Sequence, residues 1–137
     1  CAVVGVTANH AAASDQMPQI LEAYLAIQNS LADDSVDDIP DNAKTIVSLA
    51  GQLQNQKLGK TIRDSASVLE SASTLEKARK GFKNLSSPIV TWAKFAKLAD
   101  VDVVYCSMAK AKWVQKKGTV KNPYYGKSMS TCGVKEK

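Results

Sequence analysis

Residues 75–106 read LEKARKGFKNLSSPIVTWAKFAKLADVDVVYC, and the spacing of their apolar side chains changes once, at Asp100. Up to that point the apolar residues recur at steps of three and four, which predicts an amphipathic helix reaching about residue 99, kinked or restarted at Ser87-Pro88. From Val101 a β-branched, alternating run predicts a strand. The apolar helical positions are Leu75, Ala78, Phe82, Leu85, Ile89, Trp92 and Phe95.

Three more helices are predicted upstream of this stretch. The first spans about 16–32, the second carries its buried stripe from Ala43 to Leu53, and the third covers about 58–69. Amphipathic helices joined by short polar loops are typical of a bundle. The predicted fold is therefore mainly α: an antiparallel four-helix bundle with a C-terminal strand-and-loop cap, forming one domain over residues 16–137.

Residues 1–15 form a separate apolar segment with three alternative roles. Cys1 suits a lipidated first residue of an exported lipoprotein, and Ala11-Ala12-Ala13 is typical of a signal-peptidase site and so of a signal remnant. The segment could also pair as a strand with its own domain or with a neighbouring copy of the chain. The first two alternatives indicate export, so the predicted location is periplasmic or extracellular, with a lipid anchor on Cys1 as one option.

Charge is distributed unevenly along the chain, whose net charge is +5. Residues 1–56 carry seven acidic side chains and a single lysine, Lys44. From Lys110 to the end there are eight lysines and a single acidic residue, Glu136. The basic part contains no arginine, which disfavours nucleic-acid recognition. Opposite charges at the two ends would help copies of the chain associate. No apolar run reaches 18 residues, so membrane contact is predicted only through a lipid on Cys1.

Catalysis is not expected. The chain has one histidine, His10, and lacks a nucleophile motif, a Gly-rich phosphate loop and paired carboxylates near its sulfur residues. The acidic run from Asp33 to Asp41 lacks the glycine and the terminal glutamate of an EF-hand. A non-enzymatic domain is therefore predicted.

Sulfur-bearing side chains are concentrated near the C-terminus, at Cys106, Met108, Met129 and Cys132. Two thiols and two thioethers would suit Cu(I) or Ag(I) better than a hard cation. In an oxidising compartment the same cysteines more often form a disulfide, which would stabilise the fold by about 3–4 kcal/mol in the chain-entropy model. The methionines would then fill the core beside it.

The segments Val104–Ala109, Asn122–Gly126 and Cys132-Gly133, together with Trp113 and Met129, resemble the signature of an uncharacterised family of bacterial periplasmic helical domains. Arg79, Phe82, Leu85 and Ser86 are similar to further positions of that family, so that the resemblance covers residues 16–134. Ser107 stands where the family pattern has proline.

This resemblance implies a role in handling soft metals, because the family occurs in exported proteins, sometimes beside or fused to adaptor subunits of copper and silver efflux systems. The implied ligands are Cys106, Met108, Met129 and Cys132, and the implied ion is Cu(I) or Ag(I). The implied partners are efflux components. The alternative is a structural or assembly protein, stapled by a Cys106–Cys132 disulfide, which polymerises or docks through its apolar N-terminal segment.

Overall fold

The computed structural model describes residues 2–136, with side chains from Gln16 onward. These residues form four α-helices and three β-strands. The helices are α1 (Ala2–Ala32), α2 (Ile39–Ala50), α3 (Gln56–Glu70) and α4 (Leu75–Ala96), and the strands are β1 (Val101–Cys106), β2 (Ala111–Lys116) and β3 (Val134–Lys135).

Helix α1 contains the predicted helix 16–32 and extends it back to Ala2. The backbone of residues 2–15 is thus helical in this chain, and Cys1 lies outside the described residues. The three roles considered for residues 1–15 stay predictions, as does the division of the chain at residue 16.

Helices α3 and α4 begin where the sequence supplies a side-chain acceptor for their free N–H groups. The Asn55 side chain accepts from the Leu58 N–H at 3.0 Å, and the Thr74 hydroxyl accepts from the Lys77 N–H at 3.2 Å. Helix α4 runs without interruption through Pro88 and ends at Lys97, whose φ of 52° breaks the helical pattern. The alternative of a restart at Ser87-Pro88 is therefore wrong.

The three strands form an antiparallel sheet in the order β2-β1-β3. Strand β1 confirms the strand predicted from Val101, and it pairs with β2 so that Val104 faces Trp113 and Cys106 faces Ala111. The short β3 pairs with the other edge of β1, where Tyr105 faces Val134. Cys106 thus lies at the end of β1, and the pairing of β3 with β1 brings the segment that follows Cys132 beside the same strand.

The prediction of an antiparallel four-helix bundle with a strand-and-loop cap was wrong: the structure is a helical domain with a small antiparallel sheet. Helix α2 packs mainly on α1 and α3, α3 also packs on α4, and α4 packs on β2 more extensively than on α1. An apolar stripe shows that one side of a helix is buried but not what covers it. Here Trp113 and Val114 of β2, both fully buried, supply part of that cover.

The centre of the core joins α1, α4 and the sheet. Tyr24 of α1 stacks on Phe82 of α4, with ring centroids 4.6 Å apart. Phe95 departs from the predicted apolar face, since 87% of its surface is exposed. The last three residues of α4, 94–96, are all exposed, whereas Ala93 before them is buried.

Candidate functional site

The two cysteines of the sulfur-rich region meet at the end of β1. Cys106 is the last residue of that strand and is fully buried, and Cys132 is half-buried in the turn after a short 3₁₀ helix, Gly126–Met129. Their Sγ atoms lie 3.5 Å apart. A disulfide bond is about 2.05 Å long, so the structure shows two thiols in contact.

Hydrogen bonds make the two thiols unequal. Burial raises the pKa of Cys106, but bonds from the Ala109 N–H, the Asn122 side chain, the Cys132 thiol and the Met108 N–H outweigh it and leave that pKa below its ordinary value. The Ala109 nitrogen lies 3.4 Å from the sulfur. The pKa of Cys132 is raised, chiefly because its proton is shared with Cys106. The first proton lost therefore leaves a thiolate on Cys106 that accepts from Cys132.

The two methionines lie at the surface beside this pair. Met108 is 59% exposed in the turn between β1 and β2, and Met129 is 36% exposed at the end of the 3₁₀ helix. The expectation that they fill the core is wrong. Both turns border the cysteines, because Met108 follows Cys106 by two residues and the Met129 carbonyl accepts from the Cys132 N–H at 3.1 Å.

Asn122 organises the loop that carries Cys132. Its side chain is fully buried and accepts from the N–H groups of Tyr124 at 2.7 Å and Tyr125 at 3.0 Å. The same amide donates to the Cys132 carbonyl at 2.7 Å. Asn-Pro dipeptides mark turns, so the sequence indicates a turn at Asn122-Pro123. It does not indicate that the Asn122 side chain also donates to the Cys132 carbonyl.

Tyr124 fastens this loop to the core. Its hydroxyl donates to the Lys112 carbonyl at 2.8 Å and lies 3.3 Å from the Ser86 hydroxyl, which is itself 2.7 Å from the Tyr24 hydroxyl. Its ring packs edge-on against Trp113, with centroids 5.8 Å apart. Burial raises the pKa of both tyrosines above the ordinary value. The Tyr124 hydroxyl thus bonds inside the protein.

Arg79 of α4 ties the other side of the loop to the end of α1. Its guanidinium donates to the Pro123 carbonyl at 2.8 Å, to the Leu31 carbonyl at 2.9 Å and to the Asp34 carboxylate at 2.7 Å. The bond from Arg79 holds the pKa of Asp34 below its ordinary range. Asp34 thus has a structural partner.

Gly126 fits the narrow space beneath this ion pair. Its φ is +59°, and a Cβ at this position would collide with the Asp34 carboxylate and the Arg79 guanidinium. The loop is therefore held by close approach as well as by hydrogen bonds.

The structure brings together two of the four predicted ligands, Cys106 and Cys132. Among the residues it describes, no three His, Cys, Asp or Glu side chains converge as a metal site would require. A metal at the cysteine pair would consequently depend on thiolates and thioethers. That donor set is soft, and it suits Cu(I) or Ag(I) better than Zn(II) or a hard cation.

Comparison with known proteins gives a family but no characterised relative. Residues 20–100 match the model of a family described as "Protein of unknown function (DUF3347)". No curated protein and no solved structure matches the chain. In the described part of the chain, none of the helices is long and apolar enough to cross a membrane.

The match covers α2, α3 and α4 with the part of α1 from residue 20 onward, and it stops before β1. The cysteine pair and the Asn122–Gly126 loop thus lie beyond the matched residues, and the link to metal efflux is not part of the family description. More than half of the chain is matched, and the chain therefore belongs to this uncharacterised family.

Proposed function

We propose that this chain is an exported, non-enzymatic module that binds Cu(I) or Ag(I) through the Cys106 and Cys132 thiolates. The observation that carries the proposal is the 3.5 Å separation of the two sulfurs at the rim of the sheet. An ion held by two thiolates at about 2.3 Å separates the sulfurs by roughly 3.8 Å at a tetrahedral angle and roughly 4.6 Å in a line. The pair would have to open by roughly 1 Å or less.

The electrostatics of the pair support metal binding. Soft metals bind the thiolate, and every proton that must leave reduces affinity at neutral pH. Hydrogen bonds have already lowered the pKa of Cys106. Cys132 is half-buried, so an ion or a metal-carrying partner can approach the pair from its side.

The exposed methionines are the second support. Met108 is 59% exposed, although leaving a thioether side chain in water forfeits the apolar burial that methionine usually gains. Thioethers on both bordering turns could complete the coordination of a monovalent ion without adding charge. Handing the ion to efflux components in the periplasm is the partner role that fits such a module.

Cu(I) competition tests the proposal. Anaerobically reduced protein is loaded with Cu(I) and titrated with a chromogenic Cu(I) chelator, and we expect sub-micromolar retention of one ion per chain. The Cys106→Ser variant should lose retention, and the Met108→Leu/Met129→Leu variant should bind more weakly. Met17→Leu is the matched control, because Met17 is buried in α1. Wild-type protein that holds no Cu(I), or a Cys106→Ser variant that holds as much, would refute the proposal.

The same contact between sulfurs favours a second candidate, a structural disulfide in an exported protein. Oxidation would remove two hydrogens and pin the loop of Asn122 to the end of β1. Intact mass under non-reducing conditions, with and without alkylation, separates the candidates. Alkylation of both Cys106 and Cys132 in freshly isolated protein favours the metal module, and a mass lower by two hydrogens favours the disulfide.

A further inference from the structure

The outer face of α4 carries an unusually exposed aromatic group beside a groove. Phe95 is 87% exposed, and the neighbouring Trp92 is half-buried. With Leu58 and Pro88 they line a groove of about 600 Å³ between the start of α3 and the second half of α4. Exposed apolar side chains that line a groove are one feature of ligand-binding grooves.

A second cavity, of about 530 Å³, lies between α4 and the β1–β2 hairpin. Four lysines line it, contributed by both elements: Lys83, Lys94, Lys110 and Lys112. Glu136 pairs with Lys94 and with Lys112, the latter at 2.9 Å. No carboxylate among the described residues pairs with Lys83 or Lys110, so the cavity retains positive charge.

The two cavities share a wall. Ser87 and Thr91, which are four residues apart on α4 and both exposed, line each of them. Residues four apart lie on one helix face. Together the cavities form a double groove, apolar at Trp92 and Phe95 and cationic at Lys83 and Lys110, with each volume in the usual range of about 300–1,000 Å³ for ligand sites.

We propose that the double groove binds a single-chain anionic amphiphile, with its alkyl chain against Trp92 and Phe95 and its phosphate or carboxylate group between Lys83 and Lys110. Charge complementarity selects an anionic head, and the shared Ser87 hydroxyl can donate to it. The Thr91 hydroxyl already donates to the Ser87 carbonyl at 3.1 Å. The apolar half selects a chain attached to that head. The lysine-lined cavity is concave, which fits one molecule better than the flat surface of a bilayer.

Tryptophan fluorescence of the reduced full chain provides the assay. Of the two tryptophans, Trp92 lines the groove, whereas Trp113 is fully buried in the core. Dodecyl phosphate, titrated below its micelle concentration, should give a saturable blue shift. Inorganic phosphate, which lacks the chain, and dodecyl maltoside, which lacks the charge, should each bind at least about tenfold more weakly.

Variants test the two halves separately. Lys83→Gln/Lys110→Gln should weaken dodecyl phosphate binding by about tenfold and leave dodecyl maltoside binding unchanged. Phe95→Ser should weaken binding of both amphiphiles. Lys80→Gln and Val68→Ser are the matched controls, since both residues are exposed on α4 and α3 and line neither cavity.

Three results would overturn the proposal. One is the absence of a saturable shift with dodecyl phosphate. Another is equal affinity of the wild type and the double lysine variant for dodecyl phosphate. The third is binding to vesicles of anionic phospholipid without binding of the monomeric amphiphile, which would assign the surface to a bilayer instead.

Discussion

Replacing Asn122 with alanine should destabilise the protein more than any change in the surrounding loop of similar size. The side chain is fully buried and makes three hydrogen bonds of 2.7 to 3.0 Å, to the Tyr124 and Tyr125 N–H groups and to the Cys132 carbonyl. Truncation leaves these backbone groups without their partner, and each unsatisfied buried group costs about 1–3 kcal/mol. Because the loop can admit some water, we expect a total loss of about 3–5 kcal/mol.

Urea denaturation followed by circular dichroism measures this loss. Reductant is kept present so that a Cys106–Cys132 disulfide cannot compensate. The matched control is Asn84→Ala, an exposed asparagine of α4, which should change the free energy of unfolding by no more than about 0.5 kcal/mol. The slope of unfolding free energy against urea should be the same in all three proteins, because each unfolds to a similarly exposed chain.

Asn122→Ala should also change the chemistry of the thiol pair. The Asn122 side chain is one of the groups that lower the pKa of Cys106, so its removal should raise the pH at which thiolate absorbance first appears. A loss of stability below about 1 kcal/mol would refute the structural reasoning. An unchanged thiolate titration would show that the amide does not act on Cys106.

Two further predictions concern the anchors of the loop. Burial raises the pKa of Tyr24 and Tyr124 above 10.0. Above this pH the unfolded chain therefore loses protons that the folded chain keeps. The free energy of unfolding should then fall by about 1.4 kcal/mol per pH unit for each tyrosine. Tyr24→Phe should show a shallower fall than the wild type between pH 10 and 12, and parallel curves would contradict the assignment. Lysine cannot make the three hydrogen bonds that the Arg79 guanidinium donates to Pro123, Leu31 and Asp34. Arg79→Lys should therefore lower the free energy of unfolding, measured in urea, by about 2–4 kcal/mol. The exposed control Arg63→Lys should leave it almost unchanged. Equal effects of the two arginine variants would contradict this role.

Local patterns were sufficient to predict α2, α3, α4, the part of α1 from residue 16 and the first strand. Asn55 and Thr74 precede helical stripes and cap them, and the alternation after Asp100 becomes β1. Caps and periodicity act between residues close in sequence, which is why they can be read without a structure. The arrangement of these elements was not predictable in this way, and the expected helix bundle gave way to helices packed on a sheet.

Strand β2 was missed because its pattern is not that of a half-buried strand. Trp113, Val114 and Gln115 are consecutive and all buried, so the expected alternation is absent. Gln115 can be buried because its side-chain oxygen accepts from the Trp113 indole N–H at 3.0 Å and the Lys121 N–H at 2.9 Å. These bonds depend on the hairpin and the loop after it, and composition alone gives no sign of them.

The sequence by itself determined the helical segments, the first strand and the chemical content of the candidate site, two thiols and two thioethers within one short region. Only the tertiary structure decided that Cys106 and Cys132 touch, that Met108 and Met129 face water, and that Phe95 lies outside the core. The physical reason is that contacts and exposure depend on which surfaces meet. That outcome depends on the β1–β2 hairpin, the turn at Asn122 and the packing of α4 on the sheet.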